Sequence, residues 1–127
     1  MALPQRYTLT IHRGATLKRW FALRYPDGAI ADPTTAGDGY TDGRLVVRDT
    51  YSGSELLNLT TENGGVTLGL LTDAEGRQWS GFLFASAAAT ATLVDWGDGV
   101  FTFEIGNGSD VIRVAEGVAI LSPETTT

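Results

Sequence analysis

Cysteine is absent from the 127 residues, and His12 is the only histidine. Without cysteine there is no disulfide framework, no thiolate nucleophile and no cysteine-held zinc. One histidine allows a Ser-His-Asp triad once at most and excludes a multi-histidine metal site. Positive charge is also scarce. Nine Lys and Arg stand against fifteen Asp and Glu, a formal net charge of −6. That balance argues against DNA or another polyanion as the main partner. Long apolar runs are missing too. The longest weakly polar stretch, residues 82–94, is rich in alanine and interrupted by Ser86, Thr90 and Thr92. It falls well short of the ~20 apolar residues needed to cross a bilayer. The N-terminus has no cationic segment followed by an apolar run, so the expectation is no secretory signal, no membrane and synthesis in a cytosol. These exclusions shift the expectation from catalysis towards binding or assembly.

What is plentiful is glycine, 16 residues of it, at the breaks between short apolar-polar alternations. The alternations predict strands over residues 7–11, 17–25, 44–48, 56–60, 66–70, 78–84, 100–105, 111–114 and 118–121. In 100–105 the residues Phe101, Phe103 and Ile105 share one face. Turn signals separate the strands: Asp27-Gly28 after Pro26, Asn63-Gly64-Gly65, residues 73–77, and Asn107-Gly108. Residues 31–43 dissolve into Asp, Thr, Gly and Pro and read as a long surface loop. Residues 86–94 are the one plausible helix, capped by Ser86 and limited to one or two turns by Thr90 and Thr92. The length suits one domain, residues 1–122, followed by a polar tail, residues 123–127. The fold class expected is all-β: an immunoglobulin-like antiparallel β-sandwich of about seven to nine short strands with at most one short helix.

No motif assigns chemistry. His12 reads as a solvated strand-end residue, since no nearby pattern supplies an orienting carboxylate and a nucleophile. Asp32, Asp38 and Asp42, with Gly37, Gly39 and Gly43, offer the hard oxygens that calcium needs. Their spacing matches no calcium loop, and Asp and Gly are ordinary turn residues. Asp95 and Asp98, around Trp96, are a second weak candidate of this kind. No catalytic residue, metal ligand or cofactor is therefore assigned, and the chain is expected not to be an enzyme. Trp20, Trp79 and Trp96 could line a carbohydrate platform, but Trp20 and Trp79 lie within strands, where a core role is expected. Trp96, in a Gly-Asp turn, is the tryptophan placed to form an interface. The candidate interface residues are Trp96, Asp95, Asp98, Tyr40 and Arg13.

The order of turns and strands resembles the small immunoglobulin-like virion proteins of tailed bacteriophages and prophages, which are similar to the N-terminal domain of baseplate upper proteins. The resemblance runs through Arg13-Gly14-Ala15-Thr16-Leu17, Tyr25-Pro26-Asp27-Gly28, Gly39-Tyr40-Thr41 and Leu45-Val46-Val47-Arg48. It continues through the leucine-rich strand and Asn-Gly-Gly turn of residues 56–69 and through Ala89-Thr90-Ala91-Thr92-Leu93. It closes on residues 100–106, Glu116-Gly117-Val118 and Ser122-Pro123-Glu124. It covers residues 6–125, and its motifs are turns and strands rather than catalytic signatures. Two places depart from it: residues 32–43 are longer than the usual segment, and Gln78-Trp79-Ser80-Gly81 is more aromatic.

The resemblance implies a non-enzymatic structural protein of a phage particle, in a tail, baseplate, fibre-adaptor or capsid-surface position. Its partners would be other virion proteins and copies of itself in a symmetric assembly, without direct contact to nucleic acid. It would be assembled in the host cytoplasm and reside in the virion. The alternative expectation is a carbohydrate- or receptor-binding sandwich on such a particle, taking a host-surface glycan through Trp96 and residues 32–43.

Overall fold

The computed structural model describes residues 5–25, 27–35, 39–93 and 98–122. Among them are nine strands and one short helix. The strands are β1 (Gln5–Arg6), β2 (Leu9–His12), β3 (Leu17–Phe21), β4 (Asp42–Arg48), β5 (Glu55–Thr60), β6 (Val66–Thr72), β7 (Gln78–Ala85), β8 (Asp98–Gly106) and β9 (Val111–Ser122). The helix, α1, is Ala87–Ala91. The fold is an all-β sandwich. One sheet runs β1-β9-β8-β4-β5, with β2 also on β9, and the other runs β3-β7-β6.

Alternation builds the core. Phe101, Phe103 and Ile105 on β8 are fully buried, as the pattern of residues 100–105 predicts. Leu9, Ile11, Leu45 and Val47 join them from the same sheet, and Leu17, Val66, Leu83 and Ala85 face them from the other. Phe21 meets Phe103 edge-on, with ring centroids 4.8 Å apart, which ties the two sheets together near the centre. Gly81 makes this contact possible. A Cβ there would lie 2.3 Å from the Phe21 ring and 2.4 Å from the Thr67 carbonyl.

Polar side chains fix the turns. The Asn63 side chain accepts from the Thr60 and Gly65 N–H groups and donates to the Asn58 carbonyl. Asn107 accepts from Ser109 and Asp110 in the β8–β9 hairpin. The Ser86 hydroxyl accepts from Ala89 N–H and caps α1, which spans five residues as the threonines suggested.

Three features differ from the reading of the sequence. First, not every pairing is antiparallel: β1 and β2 both run parallel to β9, from Gln5 opposite Ala115 to His12 opposite Ser122. Second, residues 111–114 and 118–121 belong to one twelve-residue strand. Gly117, which lies between them, marks a close approach and not a break. Gly117 has φ +154, and a Cβ there would lie 2.0 Å from the Tyr7 carbonyl oxygen. Third, residues 31–43 are only partly a surface loop. Ala31, Pro33 and Tyr40 are buried, and the Tyr40 N–H donates to the Pro33 carbonyl at 2.7 Å. A composition rich in Asp and Gly conceals these inward residues. Asp38 and Gly37 lie outside the described residues.

Candidate functional site

The sequence candidates do not converge on one place. Trp96 and Asp95 lie outside the described residues, and Asp98 is exposed at the start of β8. Tyr40 is 7% exposed and packs in the core, so this candidate is a structural residue rather than a surface one. Arg13 sits in the turn after β2, its Nε donating to the Ala91 carbonyl at 3.4 Å. Beside it, the Gly14 N–H donates to the buried Thr90 hydroxyl, which donates onward to the Ala15 carbonyl. That turn is thereby fastened to α1. His12 is exposed at the end of β2.

The acidic candidates also resolve into local structure. Asp32 accepts from both the Thr34 hydroxyl, at 2.6 Å, and the Thr34 N–H, at 3.0 Å. The hydroxyl bond above all holds its carboxyl below the usual range. Asp42 is an exposed strand residue. Among the described residues, no group of three His, Cys, Asp or Glu is arranged to hold a metal ion, and no helix is long and apolar enough to cross a membrane.

The outer face of the larger sheet is polar. Arg113 pairs with Glu104 at 3.3 Å and Glu116 at 3.5 Å, and Arg48 pairs with Glu55 at 3.3 Å. Exposed pairs of this kind contribute little stability individually.

The smaller sheet is different. Lys18 stands opposite Phe84, and Trp20 opposite Phe82, so all four share the face turned away from the core. Phe84 is 37% exposed. Trp20 and Trp79 are half-buried, which corrects the expectation of a core role for both. Their rings stack with centroids 6.3 Å apart and planes 27° apart. Both rings are held in place. Trp20 packs on Phe82 at 4.6 Å, and the Trp79 indole N–H donates to Asp73 Oδ2 at 2.9 Å. That bond is the main cause of a carboxyl held below its usual range at Asp73, with further help from the Arg77 and Glu75 N–H groups and the Arg77 charge.

The two tryptophans border a cleft of about 300 Å³, where the free side of β3 faces β1 and β9. Gln5, Tyr7, Arg19 and Arg24 also line it. The Arg19 guanidinium lies over the Tyr7 ring, 4.6 Å from its centroid. Burial raises the Tyr7 phenol above its usual range, and the charge and hydrogen bond of Arg19 only partly oppose this. A second depression of about 550 Å³ adjoins the first, sharing Trp79 and Arg24 and adding Ile30, Thr72, Arg77 and Gln78.

One signal for this site lay in the sequence. In Leu17-Lys18-Arg19-Trp20-Phe21, Trp20 has the same parity as Lys18, a residue that seeks water, whereas Leu17 and Phe21 share the opposite parity. The pairing of Trp20 with Trp79 had no such signal, because it depends on strand register.

The chain matches no protein-family model and no curated protein.

Proposed function

We propose that this protein is a non-enzymatic structural component of a bacteriophage particle, at a tail, baseplate, fibre-adaptor or capsid-surface position. It acts by docking onto other virion proteins and onto copies of itself in a symmetric assembly. It joins the particle in the host cytoplasm and stays in the virion. The observation that carries this reading is the sandwich's set of one-sided strands. Among the described strands, β3 and β6 each pair only with β7, and β5 pairs only with β4. Such edges offer unpaired backbone groups to an incoming strand. Repetition around a symmetry axis lets modest contacts add up to a stable assembly. The turn-and-strand pattern of residues 6–125 supports the same reading.

The test is mass spectrometry of particles purified from the lysate of a host carrying the gene. The chain is expected at a fixed copy number relative to the major capsid protein, with a matching density in an electron-microscopy map of the particle. Particles repeatedly free of the chain would rule the proposal out.

A further inference from the structure

We propose that the cleft bordered by Trp20 and Trp79 binds an acidic oligosaccharide. The proposal goes beyond the particle assignment and does not rest on it. Three observations converge on this site.

The first is a pair of fixed aromatic faces. Trp79 is held by Asp73 and Trp20 by Phe82, at 2.9 Å and 4.6 Å, so little side-chain freedom is lost when a ligand settles on them. A sugar ring has apolar C–H faces and a rim of hydroxyls. A partly exposed indole offers a matching flat surface.

The second is shape and lining. The depressions of about 300 and 550 Å³ meet at Trp79 and Arg24. Their sizes fall in the range of about 300–1,000 Å³ typical of ligand sites. Two adjoining hollows joined at an aromatic ring suit a chain of sugar rings better than a single one. Gln5, Gln78 and Thr72 supply hydrogen-bonding groups around the rings. A flat apolar surface ringed by polar side chains fits a polyhydroxylated ligand more closely than an extended peptide.

The third is charge. Arg6, Arg48, Arg77 and Arg113 all pair with carboxylates. At the cleft, Arg24 bonds the Gly28 carbonyl at 2.8 Å through Nη1 and has no ion-pair partner among the described residues. Arg19 likewise has a tyrosine ring as its neighbour and no carboxylate among the described residues. In a chain of net charge −6, these two guanidiniums, without an ion-pair partner among the described residues, are complementary to a ligand carboxylate, while the Asp73 carboxylate beside Trp79 is already engaged by the indole N–H and by Arg77. The planar guanidinium receives such a group through two parallel hydrogen bonds.

The experiment titrates the purified chain with oligogalacturonate, a hyaluronan oligosaccharide and oligosialic acid, read by calorimetry and tryptophan fluorescence. Methyl-esterified oligogalacturonate has the same sugar rings without the charge. At least one carboxylated oligomer is expected to bind and to perturb the tryptophan emission. Arg24→Gln should weaken that binding about tenfold or more, the usual weight of a charged hydrogen bond. Arg24→Lys should recover part of it, and Tyr51→Ala, on the distant β4–β5 loop, should change nothing. Thermal melts of the Arg24 variants establish that they fold. If oligogalacturonate binds, the ester should bind less tightly. The proposal is overturned if none of the three oligomers binds, if the ester binds as well as the acid, or if Arg24→Gln leaves the affinity unchanged. It is equally overturned if a proline-rich peptide occupies the cleft while the sugars do not. Any of these outcomes leaves the particle assignment standing, since that is decided by the composition of purified particles.

Discussion

Ser80 and Asp73 each organise more structure than their size suggests. Ser80 is fully buried on β7. Its hydroxyl accepts from the Leu23 N–H at 2.8 Å and donates to the Ala31 carbonyl at 2.7 Å. One side chain thereby satisfies both ends of the small hairpin closed by the Arg24–Ile30 bridge. Ser80→Ala leaves a buried N–H and a carbonyl without this partner, which should cost about 1–3 kcal/mol, measurable by urea denaturation. Asp73 provides a pH dependence with a definite sign. Its folded-state carboxyl titrates below the ordinary carboxylate range, so the stability it contributes is fully present above the unfolded-state value. It is lost as pH falls through the lower, folded-state value. Asp32 is shifted in the same direction, so Asp73→Asn should flatten part of the acid limb of stability rather than all of it. Chemical denaturation followed by tryptophan fluorescence across the acid range measures the effect directly, because Trp79 is the residue that Asp73 holds.

At the scale of elements, the twelve residues of β9 form the seam on which the larger sheet closes. Two strands from the start of the chain lie along one side of it and β8 along the other. The seam tolerates the offset between β1 and β2 because Gly117 has no side chain where the backbone of Tyr7 crosses it. Gly117→Ala would force a methyl group against the Tyr7 carbonyl in a conformation that L-residues avoid. The expected result is faster hydrogen exchange confined to residues 5–12 and their β9 partners, with the smaller sheet unchanged. The sequence made most elements legible but not this seam. The alternation of residues 100–105 identified Phe101, Phe103 and Ile105, and Asn63 and Asn107 marked their turns. Residues 111–114 and 118–121 read as two strands because the apolar run lapses at Ala115-Glu116-Gly117 between them. The parallel pairing of β2 with β9 depends on residues more than a hundred positions apart, and no local pattern records it. The candidate site was legible to a similar degree. The parity of Trp20 with Lys18 marked an outward ring, but its stacking on Trp79, which shares its parity with the buried Leu83 and Ala85, emerges only on folding.

For the whole molecule, one apolar layer between two sheets carries the stability, and the site depends on it indirectly. Phe103 is 1% exposed and meets Phe21 across the layer. Phe21 is the last residue of β3, directly after Trp20. Phe103→Ala should lower the unfolding free energy by about 3–5 kcal/mol, visible as a lower denaturation midpoint, and should loosen the strand that carries the aromatic face. The parallel seam of β1 and β2 with β9 also sets an order of events. A growing chain emits β1 and β2 long before β9, their sheet neighbour among the described strands, exists. Until residues 111–122 have been made, those strands have no place in the larger sheet. Closing so long a loop is characteristic of slow-folding topologies. The sandwich therefore closes only once residues 111–122 have been made, and a copy terminated before them lacks the strand that would seal its own edge.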